Sequence, residues 1–136
     1  MADYLKPVPT IDSDTRNFWE GCKAHALRLP RCKGCDHLFY PPQALCPHCL
    51  SSDLEWVKAS GKGKIYSMTI IHQNGSPGFK DETPYVMAYV MLDEGVQMLS
   101  NVVGAEPYEV KVDMPVEVAF EDITEEISLP KFKVAT

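Results

Sequence analysis

Two cysteine pairs, Cys32-Lys-Gly-Cys35 and Cys46-Pro-His-Cys49, decide how the first half of this chain folds. Ten residues separate the pairs, which is enough chain to reverse direction and bring both pairs to one point. A C-x-x-C turn offers two sulfurs to a metal while backbone N–H groups bond to those sulfurs, and Zn²⁺ prefers four thiolates in a tetrahedron. The spacing therefore predicts one Zn²⁺ per chain, held in a zinc ribbon over residues 31–53.

A zinc site with four protein ligands has no open position for water or substrate. We therefore expect a structural ion that holds together a stretch with little apolar material of its own. Two other uses of the pairs stay open, namely two redox dithiols or iron in a rubredoxin-like site, since tetrahedral thiolate sites bind either metal. His37 and His48 are further candidate ligands, although His48, inside the second turn, is expected to point away from the metal.

Charge is distributed unevenly along the 136 residues, whose number suffices for one domain or two very small ones. Residues 1–60 carry seven Lys/Arg and seven Asp/Glu, whereas residues 61–136 carry six and twelve, which accounts for the net charge of −6. A nucleic-acid binder normally presents a basic face, because neutralising phosphates supplies most of its affinity. The acidic second half therefore opposes a nucleic-acid-binding zinc-ribbon/OB module, which we keep as the alternative function.

The segment before the first cysteine pair, residues 1–30, is predicted to contain a helix over Ile11–Leu29. Asp12 or Ser13 can cap the start of this helix, and Pro30 ends it. Apolar residues recur at helical steps, which gives a stripe made of Phe18, Trp19, Cys22 and Ala26. Such a stripe packs on a core by default, but a small ribbon offers little core, so binding of a partner protein is the second interpretation.

From residue 54 onward the pattern changes to β-strands. Five segments are rich in β-branched or aromatic residues and end at Gly, Pro or acidic turns: Leu54–Ser60, Lys64–His72, Tyr85–Asp93, Val96–Val103 and Val116–Glu121. Five short strands favour a small closed barrel, so residues 54–136 are predicted to form an OB-fold, in a mostly β protein. The one long loop, Gln73–Thr83, is a candidate functional connector.

Catalytic machinery is hard to find in this sequence. Cys22 and His25 could form a nucleophile–base pair on one helix face, but a buried cysteine near a solvated histidine is the favoured interpretation. The stretch Gly61-Lys-Gly-Lys64 lies between two strands and lacks the helix N-terminus that binds phosphate, so a turn is predicted, with a phosphate contact through Lys62 or Lys64 as the alternative. We predict no catalytic residue.

Positive charge is concentrated between Gly21 and Cys35, where the sequence has no acidic residue. The basic side chains of this stretch are Lys23, His25, Arg28, Arg31 and Lys33. A solvated surface is the default interpretation. In an otherwise acidic protein, the stretch is also where an anionic ligand or an acidic partner would bind.

The sequence favours a soluble, cytoplasmic protein without membrane contact. The apolar run Val86–Leu92 has seven residues, far short of the ~20 that a membrane span needs. The first residues show no basic region followed by an apolar stretch, as a secretory signal would.

A string of motifs, in order, resembles the acyl-CoA-associated proteins that have a rubredoxin-like zinc ribbon and an OB-fold, known as accessory subunits of thiolases. The resemblance covers about residues 15–133. It rests on Phe18-Trp-Glu-Gly21, Arg31-Cys-Lys-Gly-Cys35, Pro41-Pro42, Cys46-Pro-His-Cys49, Gly61-Lys-Gly-Lys-Ile-Tyr-Ser67, Leu99-Ser-Asn-Val-Val-Gly104, Met114-Pro-Val-Glu-Val118 and Leu129-Pro-Lys-Phe132. Asp36 and Leu50 depart from the family pattern, in which a glycine commonly follows each cysteine pair.

The resemblance implies a non-catalytic accessory subunit of a thiolase-like enzyme acting on acyl-CoA, with CoA as a ligand of the complex. Archaeal relatives bridge an acetoacetyl-CoA thiolase and an HMG-CoA synthase, and others are small subunits such as that of benzylsuccinyl-CoA thiolase. The metal ligands that the spacing predicts, Cys32, Cys35, Cys46 and Cys49, match the family's zinc site. The candidate CoA-binding residues are Arg28, Arg31 and Lys33, the densest cations near the ribbon. The candidate partner-binding residues are Phe18 and Trp19, which the helix is expected to expose.

Overall fold

The computed structural model describes residues 4–135 and shows a mostly β protein with one α-helix. The elements, in chain order, are α1 Arg16–Lys23, β1 Arg28–Cys32, β2 Leu54–Lys58, β3 Lys62–Ile71, β4 Tyr85–Leu92, β5 Gln97–Val103, β6 Pro115–Asp122 and β7 Ser128–Val134. Short 3₁₀ turns at Lys80–Glu82 and Pro107–Glu109 lie in the connections. This arrangement confirms the predicted helix, ribbon and barrel. No helix within residues 4–135 has the length and apolar character needed to cross a membrane.

The helix is much shorter than predicted. Within Ile11–Leu29, only Arg16–Lys23 is helical, a turn precedes it, and the chain after it reverses direction into β1. Thr15, not Asp12 or Ser13, is the N-cap, and its backbone N–H donates to the Asp12 carboxylate at 3.0 Å. After Lys23 the chain reverses direction through a turn in which the Ala26 N–H donates to the Gly21 carbonyl at 2.8 Å. A Cβ at Gly21 would lie 2.7 Å from the Ala26 oxygen, so this reversal requires glycine.

Strand β2 lies outside the barrel sheet. It pairs antiparallel with β1, from Arg28 opposite Lys58 to Cys32 opposite Leu54. The prediction that Leu54–Ser60 is a barrel strand is therefore wrong. The fifth barrel strand is β7, which the sequence pattern concealed because Pro130 interrupts it, and proline argues against a strand interior.

The barrel closes in the order β3-β4-β5-β7-β6, with β6 pairing back to β3. Strands β5 and β7 form the one parallel contact among its described pairs, at Val102–Phe132 and Val103–Lys133. A small five-stranded closed barrel of this kind is the OB-fold that the sequence predicted.

The helix and the barrel share one apolar core. Phe18 and Cys22 from α1, together with Leu27 and Leu29, pack in the same cluster as the inward residues of the barrel. Trp19 lies at the margin of this cluster, edge-on to Phe18 with ring centroids 5.0 Å apart. The core-packing interpretation of the helix stripe is therefore correct for Phe18 and Cys22. The predicted domain limits 1–30, 31–53 and 54–136 stay predictions, and residues 1–3 and 136 lie outside the described part.

Candidate metal centre and its surroundings

Four cysteine sulfurs from the two C-x-x-C pairs converge on one point. The Sγ atoms of Cys32, Cys35, Cys46 and Cys49 all lie within 4.8 Å of one another. The Cys32–Cys49 Sγ separation is 3.5 Å and the Cys35–Cys46 separation is 3.7 Å. A tetrahedron with Zn–S bonds of about 2.3 Å has sulfur–sulfur edges of about 3.8 Å. The four sulfurs thus fit a zinc ion, and together they would hold it with no ligand position open.

Both cysteine turns are built by the same backbone hydrogen bonds. In the first, the Asp36 N–H donates to the Cys32 carbonyl at 2.8 Å and the Cys32 N–H to the His37 carbonyl at 2.8 Å. In the second, the Leu50 N–H donates to the Cys46 carbonyl at 2.8 Å, and the Cys46 N–H donates to the Ser51 carbonyl at 2.9 Å. The turns therefore present their sulfurs in equivalent ways, as expected for two halves of one metal site.

The residue that closes each turn has left-handed backbone geometry. Asp36 has a φ of 63° and Leu50 a φ of 66°. Glycine adopts this conformation without strain, aspartate tolerates it through local hydrogen bonding, and leucine is penalised by its Cβ. The two departures from the family pattern thus stand where the backbone favours glycine, and both turns keep the geometry that glycine would give.

The backbone prepares one sulfur for metal binding. The Cys35 backbone N–H lowers the pKa of the Cys32 thiol to about 7, towards the thiolate that a metal requires. The His37 N–H likewise lowers the pKa of Cys35, but burial and the neighbouring sulfurs outweigh it and raise that pKa to about 12. Four thiolates so close together repel one another unless a cation lies between them. Metal binding would therefore release protons from the thiols and stabilise the ribbon.

The ribbon has almost no apolar core besides its cysteines. Cys32, Phe39 and Cys46 form its buried cluster, with Leu54 packed against them. His37 and His48 are absent from the converging metal-ligand set of residues 4–135, and their rings lie 5.2 Å apart at the surface. With so little area to bury, the ribbon depends on a metal for its stability.

Two of the three predicted CoA-binding residues lie beside acids from elsewhere in the chain. Arg31 forms an ion pair with Glu55, its partner across the β1–β2 pairing, and Nε lies 2.7 Å from Oε2. The Lys33 ammonium lies 3.9 Å from the Asp53 carboxylate. Arg28 and Arg31 are three residues apart on β1, so they lie on opposite faces of the two-stranded sheet. The three predicted CoA-binding residues therefore do not form one cluster, and their contact with CoA stays a prediction.

The other two basic residues of the stretch fix α1 to the barrel. The Lys23 ammonium donates to the Thr124 carbonyl at 2.9 Å, and His25 Nε2 lies 2.9 Å from Asp122 Oδ1. The Ser128 hydroxyl and His25 together lower the pKa of Asp122, which keeps that carboxylate ionised. The His25 ring also stacks on Phe120, with centroids 5.2 Å apart.

Cys22 lies inside the core, where its thiol is out of contact with solvent. The residue is fully buried, and burial raises the pKa of its thiol to about 12. His25 is engaged with Asp122 at the surface, so the interpretation of a buried cysteine near a solvated histidine fits the structure.

The two aromatic residues proposed to bind a partner differ in exposure. Phe18 is 2% exposed, so the expectation that it lies on an exposed helix face is wrong. Trp19 is half-buried and lines a surface depression of about 210 Å³ together with Tyr40, Leu99 and Pro130. A partner contact stays a prediction, and within this pair Trp19 is the residue that a partner can reach.

Removing one cysteine of the converging set tests the metal assignment. We expect Cys32→Ser to lose the zinc that the wild-type protein holds at about one ion per chain, because three thiolates bind it far more weakly than four. The barrel strands stay folded, since none of the four sulfurs belongs to the barrel core. Metal analysis and circular dichroism measure both effects. Cys22→Ala, which alters the remaining cysteine, keeps its zinc. A full zinc complement in Cys32→Ser would overturn the ligand assignment.

The left-handed geometry of Leu50 gives a second test. Leu50→Gly relieves the Cβ strain at a side chain that is 72% exposed, so we expect the free energy of unfolding of the zinc-loaded protein to rise by about 0.5–1 kcal/mol. Leu45→Gly is the matched control, because Leu45 is also exposed but is not among the positive-φ residues, and it lowers the same quantity. Denaturant unfolding decides, and equal losses in both variants would contradict the assignment of strain.

Known proteins share both halves of this structure. Residues 19–55 match the family described as "ChsH2, rubredoxin-like zinc ribbon domain", and residues 56–121 match "ChsH2, C-terminal OB-fold domain". A chain of the solved structure called "Ltp2-ChsH2(DUF35) aldolase" is 36% identical, with a TM-score of 0.85, over 95% of this chain and 100% of that one.

Curated relatives extend the match. A "DUF35 domain-containing scaffold protein" of Methanocaldococcus jannaschii is 35% identical over 71% of this chain and 68% of its own length. "Benzoylsuccinyl-CoA thiolase subunit BbsA" of Thauera aromatica is 35% identical over 70% of this chain and 63% of that subunit. A "Probable enoyl-CoA hydratase alpha subunit" of Thermomonospora curvata is 38% identical over 96% of this chain, which spans 40% of that relative. The chain thus belongs to the DUF35 family of ChsH2-type zinc-ribbon and OB-fold proteins.

Proposed function

We propose that this chain is a non-catalytic, zinc-binding accessory subunit of a thiolase-like enzyme that acts on an acyl-CoA. The observation that carries the accessory role is the match along the whole length of the matched chain in the Ltp2-ChsH2 aldolase, whose name joins this family to a second component. The thiolase class of the partner rests on the relative named as a thiolase subunit. The catalytic cysteine and the acid/base groups would come from the partner enzyme, and this chain would order the complex.

The chemistry of the described residues supports this division of labour. The four-sulfur site leaves a bound zinc no position for a substrate, so it supplies no Lewis acid. The remaining cysteine, Cys22, is held protonated inside the core. What the chain offers a partner is therefore surface and rigidity.

A thiolase is favoured over a hydratase as the partner. The relative named as a thiolase subunit is matched over 63% of its length, whereas the hydratase alpha subunit is matched over 40%. The greater part of that hydratase subunit has no counterpart in this chain, so its activity is not carried over.

Thiolysis assays test the proposal. We expect the isolated chain to be inactive towards acyl-CoA esters and the activity to appear when it is mixed with a purified thiolase-like protein of the source organism. The physical reason is that Cys22 is protonated and buried. Turnover by the isolated chain that disappears in Cys22→Ala would contradict the proposal and make the chain an enzyme.

We further propose that the ribbon contacts CoA in the assembled enzyme, through Arg28 or through Arg31 and Lys33. CoA is anionic, and guanidinium groups suit phosphate oxygens. Since the two arginines lie on opposite faces of β1, a single CoA contacts one of them, and the ion pair with Glu55 leaves Arg28 the less constrained of the two.

Single substitutions identify the face that CoA uses. We expect Arg28→Ala to raise the KM for CoA of the assembled enzyme about tenfold, the loss of one charge-assisted contact, and the effect to shrink with added salt. Arg31→Ala reports on the opposite face, and Lys111→Ala on the barrel is the matched control for removal of a cation. If the KM for CoA is unchanged in the Arg28, Arg31 and Lys33 variants, these residues do not contact CoA and form only solvated surface.

A further inference from the structure

One outer face of the barrel carries no charged side chain along two neighbouring strands. Burial alternates along β4, with Val86, Ala88, Val90 and Leu92 inside, so its other residues point outward. The outward residues of β4 and of the paired strand β5 are Tyr85, Met87, Tyr89, Met91, Gln97, Leu99, Asn101 and Val103. We call this set the uncharged face. It is continued on β3 by Ser67 and Thr69, which pair with Tyr89 and Met87.

The next two strands of the same barrel, β7 beside β5 and then β6, are built differently. On β6 and β7 the outward residues form cross-strand ion pairs, Glu117 with Lys133 at 3.4 Å and Glu121 with Lys131 at 3.1 Å. Such pairs are typical of a solvated sheet surface. The comparison shows that the absence of charge on β4 and β5 is a property of that face and not of the barrel as a whole.

Large apolar side chains stand exposed on and beside the uncharged face. Tyr89 and Leu99, which are direct cross-strand partners, are each 47% exposed, and Tyr66 at the adjoining β-bulge is 55% exposed. Exposed apolar groups that are contiguous mark interaction sites. Enrichment in tyrosine and methionine with depletion of charge is the composition of the centre of a protein–protein interface.

The uncharged face lies next to Trp19 of α1. Leu99 lines a depression of about 140 Å³ with Met87 and Tyr89, and it also lines the depression of about 210 Å³ that contains Trp19 and Tyr40. A single partner surface can therefore contact the barrel face and Trp19 together, with Leu99 between them.

Charge identifies the class of occupant. The turn that joins β4 and β5 carries the exposed acids Asp93 and Glu94, and the exposed Glu106 follows the far end of β5. Three lysines also border the face, and each lies beside an acid. Lys64, opposite Met91, is 4.0 Å from Asp113. Lys133, beside Val103, is 3.4 Å from Glu117, and Lys131, which lines the depression with Trp19, is 3.1 Å from Glu121. Nucleic acid would be repelled by these acids, and a second copy would bring a net charge of −6 against −6. The complementary surface is that of a protein with an apolar centre and a basic rim.

We propose that the uncharged face, together with Trp19, is where the chain docks on the thiolase-like subunit, through an apolar patch of that subunit bordered by basic residues. This inference rests on the proposed function, because it names the surface through which the accessory subunit assembles.

Binding measurements with purified subunits test the inference. The probe is the recombinant thiolase-like protein of the source organism that gives activity with the wild-type chain, and affinity is measured by calorimetry. We expect Leu99→Glu to weaken binding at least thirtyfold, the loss typical of a central apolar contact replaced by a buried charge. Val112→Glu, on an exposed aliphatic residue between β5 and β6, is the matched control and changes the affinity less than twofold. The zinc content and melting temperature of both variants verify folding, and Tyr89→Ala replaces Leu99→Glu if the latter fails to fold.

The outcomes separate the two proposals. If the wild-type chain binds and Leu99→Glu and Tyr89→Ala bind as tightly as it does, the docking surface is wrong while the proposed function stands. If the wild-type chain binds none of the thiolase-like proteins, both are wrong. A third outcome is that the wild-type chain self-associates in sedimentation, that Leu99→Glu abolishes this self-association, and that the partner binds both chains equally. The occupant of the face is then a second copy, and the inference is overturned.

Discussion

The convergence of four cysteine sulfurs is the constraint on which the rest of the structure depends. It fixes one end of the β1–β2 pair, because Cys32 lies opposite Leu54 beside the metal site. At the other end of the pair, the Ala59 N–H donates to the Leu27 carbonyl at 2.7 Å, and both residues belong to the core shared with the barrel. The sulfur site thus anchors one end of the β1–β2 pair, and the core shared by the helix and the barrel anchors the other.

Much of this arrangement could be predicted from the sequence because its signals are local. The C-x-x-C spacing identifies the metal ligands, and period-two alternation identifies β6. What escaped prediction depends on distant parts of the chain. The pairing of β1 with β2 overrides the helical pattern before Pro30, and it also brings Glu55 to Arg31. Two local signals do point to the observed structure. Leu50 occupies a position where glycine is common, which predicts a positive φ. Leu27 and Leu29 alternate with a polar residue, which predicts a strand.

The uncharged face could not be predicted from the sequence either, because it depends on how neighbouring strands pair. No single strand displays it, because β4 alone looks like a central strand that is apolar on both sides. The register of Tyr89 against Leu99, and the contrast with the ion pairs of β6 and β7, appear only when the barrel is closed. Its proximity to Trp19 unites the aromatic stripe of the helix and the apolar strand in one proposed surface.

The sulfur site and the uncharged face are the two features on which the proposed accessory role depends. A closed thiolate site supplies rigidity, and the buried thiol of Cys22 supplies packing. Native mass spectrometry of the zinc-loaded chain mixed with a purified thiolase-like protein of the source organism tests this account most directly. The account predicts a hetero-oligomer in which every copy of this chain holds one zinc ion. Spectra that contain only the masses of the separate proteins, at concentrations where a micromolar complex would form, would contradict it.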